Sequence, residues 1–230
     1  MQPIANVAFM KYFFFAFIIV FFFPLFSFSQ EYTSWNCPDS LTLSLRKDSL
    51  EAEFGKNKEI PEGIEVATLY ALSFYPELKN TKITFKRKRI KTTLNVRPTF
   101  FSLIFRKREN RKYVVRINDS SDEGKVIIDD VPFNASIGLL GHEFGHIADY
   151  NDKGFFGVLG RGFAYLSRTK RIEYENAIDE ITIKKGLGKA LYRWSLFVLE
   201  QSNASEEYKE FKRQTYLTPE DILHPVNNQP

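Results

Sequence analysis

Cysteine is almost absent from this chain of 230 residues: Cys37 stands alone, so no disulfide can close within it and no cysteine-built metal site is available. Cys37 itself reads as an ordinary thiol, a bond to another molecule, or a thiolate cap over a metal. Histidine is nearly as scarce, with His142, His146 and His224 only. Both methionines, Met1 and Met10, lie at the start. No second long apolar run follows the first, and no internal repeat is present. The aromatic-basic signature of an RNA-binding module is missing too, which argues against a nucleic-acid partner.

What is present begins with Lys11 and the phenylalanine-rich run Tyr12–Phe26, closed by Ser27-Phe28-Ser29. This order fits an export signal over residues 1–29, cleaved before Gln30, and a secreted or periplasmic product. The alternative is a membrane anchor over residues 12–28, although the run is short of the roughly 20 residues a span needs. Met10-Lys11 also offers a second possible start. Residues 30–230 then suit one domain, with a core at about 64–186 and a helical C-terminal extension at 187–230.

Net charge is only +4, but it is unevenly spread. Residues 82–116 hold thirteen Lys and Arg against one acid, Glu109, leaving the rest of the domain acidic. The tract reads as the solvated face of a sheet. It could contact an anionic envelope, a membrane surface or acidic substrates.

Hydropathy alternation places a short strand at Leu41–Leu45 and strands around Ile83–Phe85, Leu94–Val96, Tyr113–Ile117 and Lys125–Ile128. Thr99–Phe105 reads as an aromatic-rich connection. Helices are expected at Ile64–Phe74, from Asn134 as N-cap to about Tyr150, at Arg171–Lys185, at Lys189–Leu199, from Ser205, and from Thr218-Pro219. Lys153–Leu166 mixes glycines and aromatics. It fits a loop filling core, a mobile lip over a cleft, or an amphipathic patch resting on a membrane.

Gly141-His142-Glu143-Phe144-Gly145-His146 carries the chemistry. On a helix, histidines four residues apart project from one face, where two imidazoles can share one Zn²⁺ with Glu143 beside its open position. Ile137, Leu140, Phe144 and Ile147 form an apolar stripe on the opposite side. Gly138, Gly141 and Gly145 each cost the helix about 1 kcal/mol, which suggests a close neighbour. A catalytic zinc site takes three protein ligands, so the third is a carboxylate or His224. Glu175 is best placed, on a separate helix. Asp179, one turn on, could hold the outer nitrogen of a ligand histidine.

The pair His142-Glu143-x-x-His146 and Glu175-x-x-x-Asp179 resembles the gluzincin branch of zinc metallopeptidases, the thermolysin-type arrangement. The phrase Glu175-Asn176-Ala177-Ile178-Asp179 is similar to the glutamate helix of compact members. The resemblance implies an α+β, zincin-like fold with a small mixed sheet packed on an active-site helix and a glutamate helix, and further helices C-terminal. It implies one Zn²⁺ on His142, His146 and Glu175, with Glu143 as general base and Asp179 behind the ligands. It further implies peptide or protein substrates bound along a sheet edge, a role assigned here to Tyr113, Val115, Ile117 and Asn118. Such enzymes take an oxyanion stabiliser from the C-terminal region, for which His224, Tyr192 and Tyr174 are candidates. A third histidine close after His146 and a Met-turn are both missing, which sets aside the metzincin branch. The competing expectation is a non-catalytic, zinc-stabilised protein that binds peptides or envelope polymers.

Overall fold

The computed structural model describes residues 39–120 and 124–223. The expected leader at 1–29, the alternative anchor at 12–28, Cys37 and His224 lie outside the described residues. Among those described, no helix is long and apolar enough to cross a membrane.

The described chain opens with α1 (Ser40–Ser44) and α2 (Lys47–Phe54), then a two-residue strand, β1 (Lys58–Glu59), and α3 (Glu65–Ser73). The expected strand at Leu41–Leu45 is therefore a helix. Asp39 accepts from the Thr42 N–H and hydroxyl, a cap that outweighs the period-2 leucines, of which only Leu43 is buried. Next come β2 (Lys82–Arg87), β3 (Leu94–Pro98), α4 (Phe100–Phe105) and β4 (Lys112–Ile117). Thr99–Phe105 is thus mostly helix rather than plain connection.

The four strands form one mixed sheet in the order β1-β2-β4-β3, with β1 and β2 parallel, β2 and β4 parallel, and β3 antiparallel to β4. Ile83, Phe85, Leu94, Val96, Tyr113, Val115 and Ile117 point into the core, while alternate positions carry the basic residues outward. This order corrects the edge assignment. Tyr113, Val115 and Ile117 sit in a strand paired on both sides, and Asn118 is buried against Thr93. Alternation reports a buried face, not a free edge; the edge beside the long central helix is β3. Lys125–Ile128 also joins no ladder. Val126 gives its carbonyl to the Thr93 hydroxyl, and a 3₁₀ turn follows at Ile128–Asp130.

Helix α5 (Phe133–Asp152) runs through the middle, packed on α3, on β3, on α7 (Arg168–Thr182) and most broadly on α8 (Gly188–Leu196). Pro132 takes its N-cap position, so Asn134 lies inside the helix. Its glycines explain the close packing. A Cβ on Gly138 would lie 2.1 Å from the Ala190 carbonyl oxygen, and one on Gly141 would lie 2.5 Å from Leu187 Cδ1. The segment assigned to a C-terminal extension therefore completes the core around α5.

Two hydrogen bonds fix α5 along its length: the Tyr75 hydroxyl to the Gly141 carbonyl at 2.8 Å, and Arg111 Nη1 to the Tyr150 carbonyl at 2.7 Å. Lys153–Leu166 is largely helical, as α6 (Phe155–Ala164), with only Val158 buried, so its aromatics do not fill core. Helix α7 runs on through a π-turn to Gly186, whose φ of 96° suits glycine and turns the chain into α8. A second π-turn, Phe197–Gln201, leads to α9 (Glu206–Thr215) and α10 (Pro219–Leu223).

Candidate metal centre

Helix α5 presents His142 and His146 one turn apart, and α7 crosses it closely enough to bring Glu175 between them. Gly145 permits this approach: a Cβ there would already press on Ile178 of α7 at 3.1 Å. The three ligand atoms form a nearly equilateral triangle. His142 Nε2 is 3.2 Å from His146 Nε2 and 3.2 Å from Glu175 Oε2, and His146 Nε2 is 3.3 Å from Glu175 Oε2. All three residues are buried, and they can hold a metal ion.

The surrounding bonds decide which atoms carry protons. His142 Nδ1 donates to Asp179 Oδ1 at 2.7 Å. Tyr174 donates its hydroxyl proton to Asp149 Oδ2 at 3.3 Å and so accepts from His146 Nδ1 at 3.1 Å. A neutral imidazole at either position therefore keeps its proton on Nδ1 and turns its Nε2 lone pair towards the other Nε2 and a carboxylate oxygen. Three such electron-rich atoms at this separation repel unless a positive charge, a metal ion or a proton on His142, lies among them. The Tyr165 hydroxyl donates to Glu175 Oε1 at 2.7 Å, leaving Oε2 without a hydrogen-bond donor.

Each support is itself anchored. Asp179 Oδ2 accepts the Leu217 N–H at 3.0 Å, drawing the segment after α9 against the site. Asp149 is gripped by Arg161 and Lys153, and the Arg161 guanidinium lies 4.5 Å from the Tyr174 ring centre. Burial would raise the Asp149 pKa, but those two cations hold it below the usual carboxylate value.

Electrostatics follow the same geometry. Burial would lower the His142 pKa, yet Asp179 and Glu175 outweigh it and push it up to about 10. Burial would raise Glu175, but the two imidazoles hold it well below the ordinary range. Glu143 is raised, chiefly by desolvation, and its Oε2 is buried with no hydrogen-bond partner. A buried carboxylate oxygen with no protein donor, beside three converging ligand atoms, fits a water or substrate group bound between them.

The site opens into a cleft of about 1070 Å³ that Glu143, His142, His146, Glu175, Tyr165 and Tyr216 help to line. No local sequence pattern marks Tyr216, which follows the end of α9. Its ring centre is 5.5 Å from that of His142, and desolvation, then Glu175, raises its phenol well above the usual value. Tyr165, equally unmarked, braces Glu175. Of the oxyanion candidates, Tyr174 is committed to His146 and Asp149, Tyr192 packs against the core, and His224 is outside the described residues. Of the expected edge-strand residues Tyr113, Val115, Ile117 and Asn118, all are buried in the sheet and none lines the cleft, whereas Leu94, Val96 and Arg97 of β3 do. No family model, curated protein or solved structure matches this chain.

Proposed function

We propose that this protein is a zinc-dependent metallopeptidase of zincin-like fold and gluzincin type. The observation that carries this reading is the triangle of His142 Nε2, His146 Nε2 and Glu175 Oε2, 3.2–3.3 Å on a side, with orphaned Glu143 in the same cleft. Three nitrogen and oxygen ligands at about 2.0–2.1 Å on tetrahedral corners would stand about 3.3–3.4 Å apart, so the donor set and its spacing both suit Zn²⁺. When bound, zinc lowers the pKa of a water and polarises a carbonyl, and a set of three protein ligands leaves a position for them.

The chain's own groups supply the rest. As a carboxylate, Glu143, whose Oε2 has no hydrogen-bond donor, takes the proton of the attacking water as the new C–O bond forms. It returns that proton to the amide nitrogen as the C–N bond breaks, so atoms and charge balance. Desolvation raises its affinity for a proton, which favours its accepting one. Tyr216, which lines the cleft with its ring beside His142, is the group we assign to stabilise the carbonyl oxygen as it gains charge. The β3 edge can take an extended peptide through backbone hydrogen bonds. Lys91, Arg97, Arg116 and Arg171 line the cleft and favour acidic segments.

The test joins metal analysis to hydrolysis of a broad set of quenched peptides. The wild type should carry about one zinc per chain and cut; Glu175→Ala should lose the metal. Glu143→Gln should keep the metal while turnover falls by about three orders of magnitude or more. Unchanged turnover of pure Glu143→Gln would remove the mechanism. Full metal occupancy with no hydrolysis of any peptide would favour the zinc-stabilised binding protein instead.

A further inference from the structure

Ten of the twelve exposed large hydrophobic side chains among the described residues belong to two short stretches. Phe100, Phe101, Ile104 and Phe105 stand on α4, and six more lie between Phe155 and Leu166, on α6 and its end. Phe101, Phe105 and Phe156 are 75%, 76% and 84% exposed. Soluble surfaces do not gather apolar side chains in this way without a use for them.

The two stretches are neighbours. Arg108, just after α4, donates to the Asp152 carbonyl at 3.1 Å, immediately before α6, and Arg111 donates to the Lys153 carbonyl at 2.8 Å. Charge accompanies the apolar groups. Lys86, Lys88, Arg97 and Arg116 border a hollow shared with Phe100 and Leu103 of α4, and Arg106-Lys107-Arg108 follow that helix. Most of the basic residues of the tract are exposed to solvent, while the rest of the domain is net acidic.

We propose that α4, α6 and the basic sheet face form a surface that seats on an anionic phospholipid bilayer, with the phenylalanines entering the boundary between headgroups and acyl chains. Charge complementarity selects the occupant: lysines and arginines flanking exposed phenylalanines match acidic headgroups above an apolar layer. The exposure of the rings also decides between partners. Side chains three-quarters exposed on helices form ridges, which suit a deformable lipid interface better than the preformed socket a folded protein would have to offer. The acidic remainder of the molecule is repelled, which fixes its orientation. Gly162 and Tyr165 border the metal cleft, so this seating brings the cleft mouth close to the membrane; the surface itself does not depend on the metal.

The full chain has its own apolar run at Tyr12–Phe26, so the readout must be local. An environment-sensitive fluorophore is attached at Phe101→Cys or Phe156→Cys in a Cys37→Ser background, with exposed Glu51→Cys as reference. Vesicles of phosphatidylcholine alone, or with phosphatidylglycerol, are added at low and high salt, with nitroxide-labelled lipid as quencher. Blue shift and quenching are expected at positions 101 and 156, not at 51, only with phosphatidylglycerol, and weakened by salt. Lys86→Glu and Lys88→Glu should each weaken partitioning about fivefold or more. Labels that stay water-exposed while the protein sediments with vesicles would overturn the proposal. So would equal insertion into neutral vesicles. A shift before lipid is added would also overturn it, assigning the patch to a second copy if it grows with protein concentration and to the chain's own leader if it does not.

Discussion

Asp179 uses both oxygens of one carboxylate, on the His142 ring and on the Leu217 backbone, so it sets a ligand's tautomer and also the position of the segment that carries Tyr216. Asp179→Asn should therefore weaken zinc binding about 10- to 100-fold, as measured by competition with a chelator, with the far-ultraviolet dichroism unchanged. Tyr216→Phe separates a different contribution. It keeps the ring against His142 and removes only the hydroxyl, so kcat should fall about 100-fold with KM nearly constant. A drop in metal content instead would make Tyr216 a structural prop. The two residues were unequally legible. Helical spacing places His142, His146 and Glu143 on one turn, and puts Asp179 one turn beyond Glu175. Tyr216 and Tyr165 lie outside regular helix, at the ends of α9 and α6, and reach the site through turns that no local pattern encodes.

Helix α5 shows how an element can be locally weak and globally fixed. Gly138, Gly141 and Gly145 lower its intrinsic propensity, yet they are what let α7 and α8 close on it. Gly138→Ala would drive a methyl into the Ala190 backbone, so it should destabilise by about 2 kcal/mol or more despite alanine's better propensity, seen as a lower urea midpoint. Gly160→Ala on α6 is the counter-case. Nothing lies within 4 Å of its added methyl, so it should stabilise by up to about 1 kcal/mol. The sequence announced a close neighbour for α5 through those glycines, but not its identity, since α8 is some fifty residues away. Period-2 patterns mark a strand where a ladder exists, as at Tyr113–Ile117, but not at Leu41–Leu45 or Lys125–Ile128. There capping or side-chain bonds claim the backbone first. In α6 the four-residue spacing of Phe155, Leu159 and Phe163 is helical, but the dense glycines masked it.

At the scale of the whole molecule, the metal site joins α5, α7 and the segment between α9 and α10, so its charge state bears on stability as well as on chemistry. Without metal, His142 is held protonated by Asp179 and Glu175, with a folded value near 10 against about 6.5 when unfolded. The sign follows from that order. The ion-paired imidazolium contributes fully below about pH 6.5, and its contribution is lost as pH rises towards 10, by at most about 1.4 kcal/mol per pH unit. A metal ion held by His142 would displace this proton, so metal binding is expected to release a proton near neutrality and to tighten as pH rises. The chelated protein should therefore lose several degrees of melting temperature between pH 6.5 and 8.5, at about 2–4 °C per kcal/mol for a domain of this size. The zinc-loaded protein should stay nearly level, so the gap between the two melting curves should widen with pH. A gap that is constant over that range would mean that His142 is already neutral in the metal-free fold, and that the three ligand atoms are held together by packing alone.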